Sequence, residues 1–149
     1  VRPLIVSYTV DSVLGSETTE LPAFLKNLVD GVAETLRRSR AVKIYICNVM
    51  TQPGETDGYT ASMHVKAILE HVGKGVVDYV LVNSGPISEK MLADYAAKGS
   101  YPVKVDRDAL HRLGVGFVQA DIMSAEDAGH HDPAKLREAV MKMVYGLTG

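Results

Sequence analysis

Cysteine is almost missing from this sequence. The single Cys47 excludes an internal disulfide, and without a cysteine cluster there is no thiolate zinc site, so a reducing, cytoplasmic location is expected. An excess of one charge is missing too. The 16 basic and 18 acidic residues leave a formal net charge of -2, too even for the basic footprint of a DNA- or RNA-binding protein. No nucleic-acid partner is expected. No apolar run approaches the roughly 20 residues that cross a bilayer, and no signal-peptide pattern opens the sequence, so no membrane partner is expected either. A Walker loop, a dinucleotide-type glycine fingerprint and a serine elbow are all absent, which removes the strongest catalytic signatures. Repeats and low-complexity linkers are absent as well, and residues 1–149 read as one domain around a single core.

What is present alternates between two periods. Leu21, Phe24, Leu25, Leu28, Val29, Val32, Ala33 and Leu36 recur at helical spacing, and Arg37, Arg38 and Arg40 suit the helix end. Residues 42–46 then read as a strand, and Ala61, Val65, Ile68, Leu69 and Val72 as a helix stopped by Gly73. The order repeats: strand 76–82 is apolar enough to be buried on both faces, and Ser88 caps a short helix carrying Met91, Leu92 and Tyr95. Residues 103–105 predict another short strand, Asp106 a cap for the helix ending at Leu113-Gly114, and residues 115–120 one more strand. His131-Asp132-Pro133 opens a last helix as cap and first-turn proline. Residues 4–8 read as a strand, with 12–15 either its continuation or a second one. The pattern predicts an α/β fold with a mostly parallel sheet and helices on both faces.

The polar, Gly/Pro-punctuated run 47–60 leaves the strand at 42–46, and in open parallel sheets ligands bind at the carboxyl ends of strands. Thr51, Gln52, Glu55, Thr56 and Asp57 offer hydroxyl, amide and carboxylate groups suited to ribose and phosphate or to a magnesium shell. The competing reading is a surface loop that bonds its own backbone. Asn48 and Asn83 each end a predicted strand, and adjacent parallel strands would bring both amides to one rim; either could instead simply begin a turn. Glu55 and Asp57 are either solvated carboxylates or an acid/base or magnesium pair, with Asp57 the magnesium candidate; no catalytic residue is identified. Thr60 and Ser62 suit helix caps, and Tyr95 either packs in the core or stacks on a base or sugar. His130 and His131 lack the spacing of a metal cage, as do His64, His71 and His111, but an imidazole beside the Asp132 cap could meet an anionic ligand when protonated.

Residues 48–62, carried by the string Thr51-Gln52-Pro53-Gly54-Glu55-Thr56-Asp57, together with Asp78-Tyr79-Val80-Leu81-Val82-Asn83, resemble the bacterial gluconeogenesis factor family, related to the 2-phospho-L-lactate transferases (CofD-like proteins). The resemblance runs from about Val13 onward and covers only the carboxyl-terminal part of the family pattern; the Gly-rich strand-to-helix turn and Asp-Gly-Gly-Ser segment of the family do not occur. It implies a Rossmann-like three-layer sandwich that binds a nucleotide or nucleotide sugar. In the factor branch this is a UDP-sugar such as UDP-N-acetylglucosamine, with a role in cell morphology and carbon metabolism. In the transferase branch it is a guanosine-diphosphate-activated three-carbon acid, with a deazaflavin acceptor. Position by position, Tyr95 matches a tyrosine that contacts the nucleotide sugar, and His130 stands where a ligand-holding arginine is usual. Met63 replaces an aspartate before His64, and Gly15 to Glu20 replaces a phosphate-side glycine loop, where Glu17 and Glu20 would repel a diphosphate. The implied ligand set is Asn48, Thr51, Gln52, Glu55, Thr56, Asp57, Asn83, Tyr95 and His130. Three functions follow as expectations: a regulatory protein that binds a nucleotide sugar; a phosphoester transferase using Glu55 or Asp57 with magnesium; or a ligand-free scaffold or interaction module, for which self-association into a homo-oligomer is expected.

Overall fold

A computed structural model describes residues 23–147. The strand expected at 4–8 and the loop bearing Glu17 and Glu20 lie outside the described residues. Helix α1, Ala23–Arg38, leads into β1, Ile44–Ile46, and α2, Ala61–Val72, carries the chain over to β2, Tyr79–Asn83. Two short helices, α3 (Glu89–Ala96) and α4 (Arg107–Arg112), connect β2 to β3, Gly116–Ala120, and α5, Pro133–Leu147, follows. The described strands form one sheet in the order β1-β2-β3, parallel throughout, so β2 is central.

Side chains alternate across a pleated strand, and that alternation builds three layers. Tyr45, Val80 and Val82 point to one face, where Leu36 of α1, Val65 and Ile68 of α2 and Leu110 of α4 cover them. Ile44, Ile46 and Leu81 point to the other, against Ala139, Val140 and Met143 of α5. Each such apolar side chain, fully buried, contributes about 1.5–3 kcal/mol. The result is an α/β, Rossmann-like arrangement with helices on both faces. A smaller cluster sits beyond the carboxyl ends of the strands, where Val49, Met50, Met123 and Ala128 pack with Ile87, Met91 and Tyr95 from the loops and from α3.

The local signals that start α2, α3 and α5 are obeyed. Thr60 caps α2, Ser88 caps α3 by accepting the Met91 N–H at 3.2 Å, and Asp132 accepts the N–H groups of Ala134 and Lys135 at 2.9 and 3.0 Å. Three expectations fail. Residues 103–105 are no strand of the sheet: Pro102 bridges Met50, Lys104 bridges Thr60, and Val103 and Val105 lie against the α2 side of the core. Their β-branched character serves packing beside a helix start instead of a ladder. Val32, at apolar spacing in α1, is 49% exposed because Ala33 and Leu36 take the buried positions of that stretch. Asp106 precedes α4 but does not cap it; its carboxylate reaches the start of α2.

Candidate functional site

Because Ile46 lies opposite Leu81 in a parallel register, continuing the two strands by two residues sets Asn48 level with Asn83. Both amides therefore reach the carboxyl edge of the sheet, and the fate of each differs. Asn83 is fully engaged: its Oδ1 accepts the Gly85 and Ile122 N–H groups, both at 3.1 Å, and its Nδ2 donates to the Gly85 carbonyl at 3.0 Å. It ties the exit of β2 to the exit of β3. Gly85 lies so close to Asp121 that a methyl group there would sit 2.2 Å from Asp121 Oδ1, and Lys135 Nζ holds the other carboxylate oxygen at 2.9 Å. Asn48 is half-buried, and its amide has no hydrogen-bond partner among the described residues. Next to it, His131 Nε2 donates to the Cys47 carbonyl at 3.3 Å; burial pushes the pKa of His131 down, and that hydrogen bond opposes the shift. The Cys47 thiol is pushed up to about 12, chiefly by burial, and stays protonated.

The loop that leaves β1 holds its shape through its own polar groups. Thr51 is buried, donates its N–H to the Tyr101 carbonyl at 2.7 Å and accepts the Tyr101 N–H on Oγ1 at 2.9 Å. Thr56, also buried, accepts the Gln52 N–H on Oγ1 at 2.8 Å, and Asp57 accepts the Gly54 N–H at 2.7 Å. Gly54 turns at a φ of 82°, a left-handed conformation that a Cβ disfavours. Two oxygens in this loop are left over: Gln52 Oε1 and Glu55 Oε2 are buried with no hydrogen-bond partner. A buried acceptor without a donor costs about 1–3 kcal/mol, so an ordered water or a ligand group is expected to meet such atoms. Among the described residues no three of His, Cys, Asp and Glu gather into a set that could hold a metal ion, and Asp57 is occupied with Gly54.

At the start of α2, Asp106 accepts the Thr60 hydroxyl at 2.8 Å, the Ser62 N–H at 2.9 Å and the Ser62 hydroxyl. These donors outweigh the cost of burial and hold its pKa below the ordinary carboxylate value. His64, on the first turn of α2, is 1% exposed; its Nδ1–H donates to the Thr60 carbonyl at 2.9 Å, Tyr59 meets it edge-on at 5.3 Å, and Nε2 has no partner. Burial lowers its pKa.

Two of the expected site residues, Tyr95 and His130, meet through a third, Asp127, that the sequence reading did not single out. The Tyr95 ring packs beside Met91 and Ile87, with Lys98 Nζ 5.7 Å from its centroid. Its hydroxyl donates to Asp127 Oδ1, which also accepts the Gly129 N–H at 2.9 Å, and His130 Nδ1 donates to Asp127 Oδ2 at 2.8 Å. The Tyr95 bond first, then those from Gly129 and His130, hold the Asp127 pKa down at about 2. The Tyr95 hydroxyl moves up, through burial and then through Asp127. Asp127 and Asp121 are the members of this edge that sequence reasoning missed, while Asp106, expected to cap α4, serves the start of α2, and His131, expected at the start of the last helix, bonds the Cys47 carbonyl. The Asp-Ala-Gly-His run at 127–130, whose aspartate can fold back on the amide two residues on, is the one local signal that could have pointed to Asp127.

Comparison with known proteins places this arrangement. The family profile described as 2-phospho-L-lactate transferase CofD matches residues 21–123. The gluconeogenesis factor of Halalkalibacterium halodurans is 47% identical over 116 residues, which cover 77% of this chain and 36% of that protein. The gluconeogenesis factor of Bacillus subtilis is 37% identical over 118 residues, 78% of this chain and 37% of that protein. A crystal structure of a UPF0052-family protein from Bacillus halodurans superposes with a TM-score of 0.71 at 47% identity, over 74% of this chain and 36% of that one. The matched segment thus spans little more than a third of the length of these relatives. Among the described residues no helix is long and apolar enough to cross a membrane.

Proposed function

The chain belongs to the CofD family, on its gluconeogenesis-factor side, and from that premise we propose that the carboxyl edge of the sheet binds a nucleotide sugar of the UDP-sugar kind, as a cytoplasmic regulatory protein. The observation that carries this reading is the pair of orphaned oxygens, Gln52 Oε1 and Glu55 Oε2, in the loop leaving β1. A ligand rich in hydroxyl and N–H groups supplies the donors they lack. The free amide of Asn48 adds a donor and an acceptor on the same edge, whereas Asn83, Thr51 and Thr56 shape the edge through the backbone.

The test is thermal unfolding with and without UDP-N-acetylglucosamine. A ligand that binds only the native state stabilises it by about 2.7 kcal/mol at a hundredfold excess over Kd. The shift is expected for the protein and is lost in Gln52→Ala and Glu55→Ala, each of which folds as well as the parent or better because it removes an unpaired buried oxygen. Absence of any shift with nucleotides or nucleotide sugars at millimolar concentration overturns the reading. One observation favours a second reading, a scaffold or interaction module: Thr51, Thr56 and Asp57 bond to the backbone of their own or the adjoining loop. In that case no nucleotide shifts the melting curve of the parent protein, and the two variants behave as the parent does.

A further inference from the structure

A cleft of about 580 Å³ opens at the amino ends of β2 and β3, at the end of the sheet opposite to Asn48 and Asn83. Its volume falls in the range of about 300–1,000 Å³ usual for small-molecule sites. Leu69 of α2, Val77 and Leu113 give it an apolar wall that belongs to the core. Two turns keep it open. Gly75 and Gly114 have φ of 81° and 74°, and a methyl group on either would meet nothing within 4 Å.

The charged residues that line this cleft are Lys74, Asp78 and Arg112. Asp78 is already neutralised, because its Oδ2 accepts the Lys43 N–H at 2.8 Å and lies 3.1 Å from Lys43 Nζ. Neither Lys74 nor Arg112 has a carboxylate partner among the described residues. Lys74 stands just beyond α2 and Arg112 closes α4, where helix dipoles favour cations. A helix end carries only about half a negative charge, so both positions keep a surplus of positive charge. Like charges facing one cleft repel each other until an anion lies between them.

We propose that this cleft is a second ligand site, for a small phosphate monoester whose apolar body lies on Leu69, Val77 and Leu113 and whose phosphate is held by Lys74 and Arg112. The planar fork of an arginine matches two phosphate oxygens, and a lysine adds a point charge. The site uses other residues than the carboxyl edge and stands independently of the nucleotide-sugar reading.

Phenyl phosphate is the probe, with inorganic phosphate as the headgroup alone and benzyl alcohol as the body alone, titrated into the whole protein at neutral pH and low salt. Phenyl phosphate is expected to shift the amide resonances of Gly75 and Gly114 and to bind about tenfold more tightly than inorganic phosphate, the worth of covering part of a phenyl ring. Benzyl alcohol binds most weakly. Lys74→Ala and Arg112→Ala each weaken phenyl phosphate about tenfold, Arg112→Lys recovers part of the loss, and added salt lowers the affinity of the parent protein. Both side chains are exposed, so these variants keep the fold. Shifts that gather at Asn48 and Gly54 in place of Gly75 and Gly114 overturn the proposal. Equal affinity for inorganic and phenyl phosphate, a double variant Lys74→Ala/Arg112→Ala that binds as the parent does, or no shift at millimolar phenyl phosphate overturns it as well.

Discussion

At the amino ends of β2 and β3 the chain turns on bare backbone: Gly73, Gly75 and Gly114 have φ of 97°, 81° and 74°. The loops at the carboxyl edge of the sheet have left-handed glycines too, Gly54, Gly58 and Gly99, but they are also held by Asn83, Thr51, Thr56, Asp106 and Asp127, each bonded to backbone or to another side chain. Even the ion pair at the amino end, Lys43 Nζ to Asp78 Oδ2 at 3.1 Å, shares its carboxylate oxygen with the Lys43 N–H. The contrast teaches that polar residues at the carboxyl end, where a ligand is proposed to bind, hold the loops in place, so a substitution there changes stability, and its effect on binding has to be measured separately.

The contrast is broken most directly at Asp106. Asp106→Ala leaves the first turn of α2 and the Thr60 and Ser62 hydroxyls without their acceptor, and a loss of about 2–3 kcal/mol is expected from urea unfolding. At the amino end the exposed Lys74→Ala changes stability by less than about 0.5 kcal/mol. Equal effects at both ends would remove the distinction. Gly114→Ala sharpens the other half of the comparison: the turn has open space for a methyl group but needs positive φ, so the cost of about 1–2 kcal/mol comes from backbone strain alone. Asparagine at that position, which tolerates left-handed backbone better, is expected to recover part of the loss.

The smallest effect is a slope with pH. Burial holds the His64 pKa below its ordinary value of 6.5, so the unfolded chain takes up the proton first and stability falls as pH drops through 6.5 toward the folded value. His131, whose pKa burial also lowers, adds to the same slope, so His64→Gln makes it shallower without abolishing it. Asp127 acts in a separate window with the same direction: its folded pKa of about 2 lies below the ordinary 3.8, so its contribution is present above 3.8 and is lost as pH falls toward about 2. Stability measured from pH 8 down to pH 2, in steps of roughly half a unit, resolves the two windows because the ordinary values of histidine and aspartate lie well apart.

Much of this molecule was legible where the signal is local. The caps at Ser88 and Asp132, the strand around Ile44, Tyr45 and Ile46 and the placing of Asn48 and Asn83 just at or beyond strand ends all depend on neighbours a few residues away. Relations between distant segments were not. The carboxylate of Asp106 serves a helix that begins 45 residues earlier, counting from Ala61, and Asp127 joins a tyrosine 32 positions before it. A cap next to its own helix and a cap on another are written with the same letter. The same holds for 103–105, whose residues favour a strand while the sheet runs β1-β2-β3 without them. Orphaned atoms such as Gln52 Oε1 leave no local trace at all, because a missing partner is a property of the folded whole.

The one thiol of the chain sits sealed behind β1 with its proton held until about pH 12. A cysteine introduced on the outside, for instance Ser84→Cys at the exposed turn after β2, would then be the sole sulfur that alkylating dyes reach at neutral pH. The parent sequence is in effect already a blank for attaching a fluorophore beside Asn83, so that a compound arriving at that edge is read out without first rewriting the core.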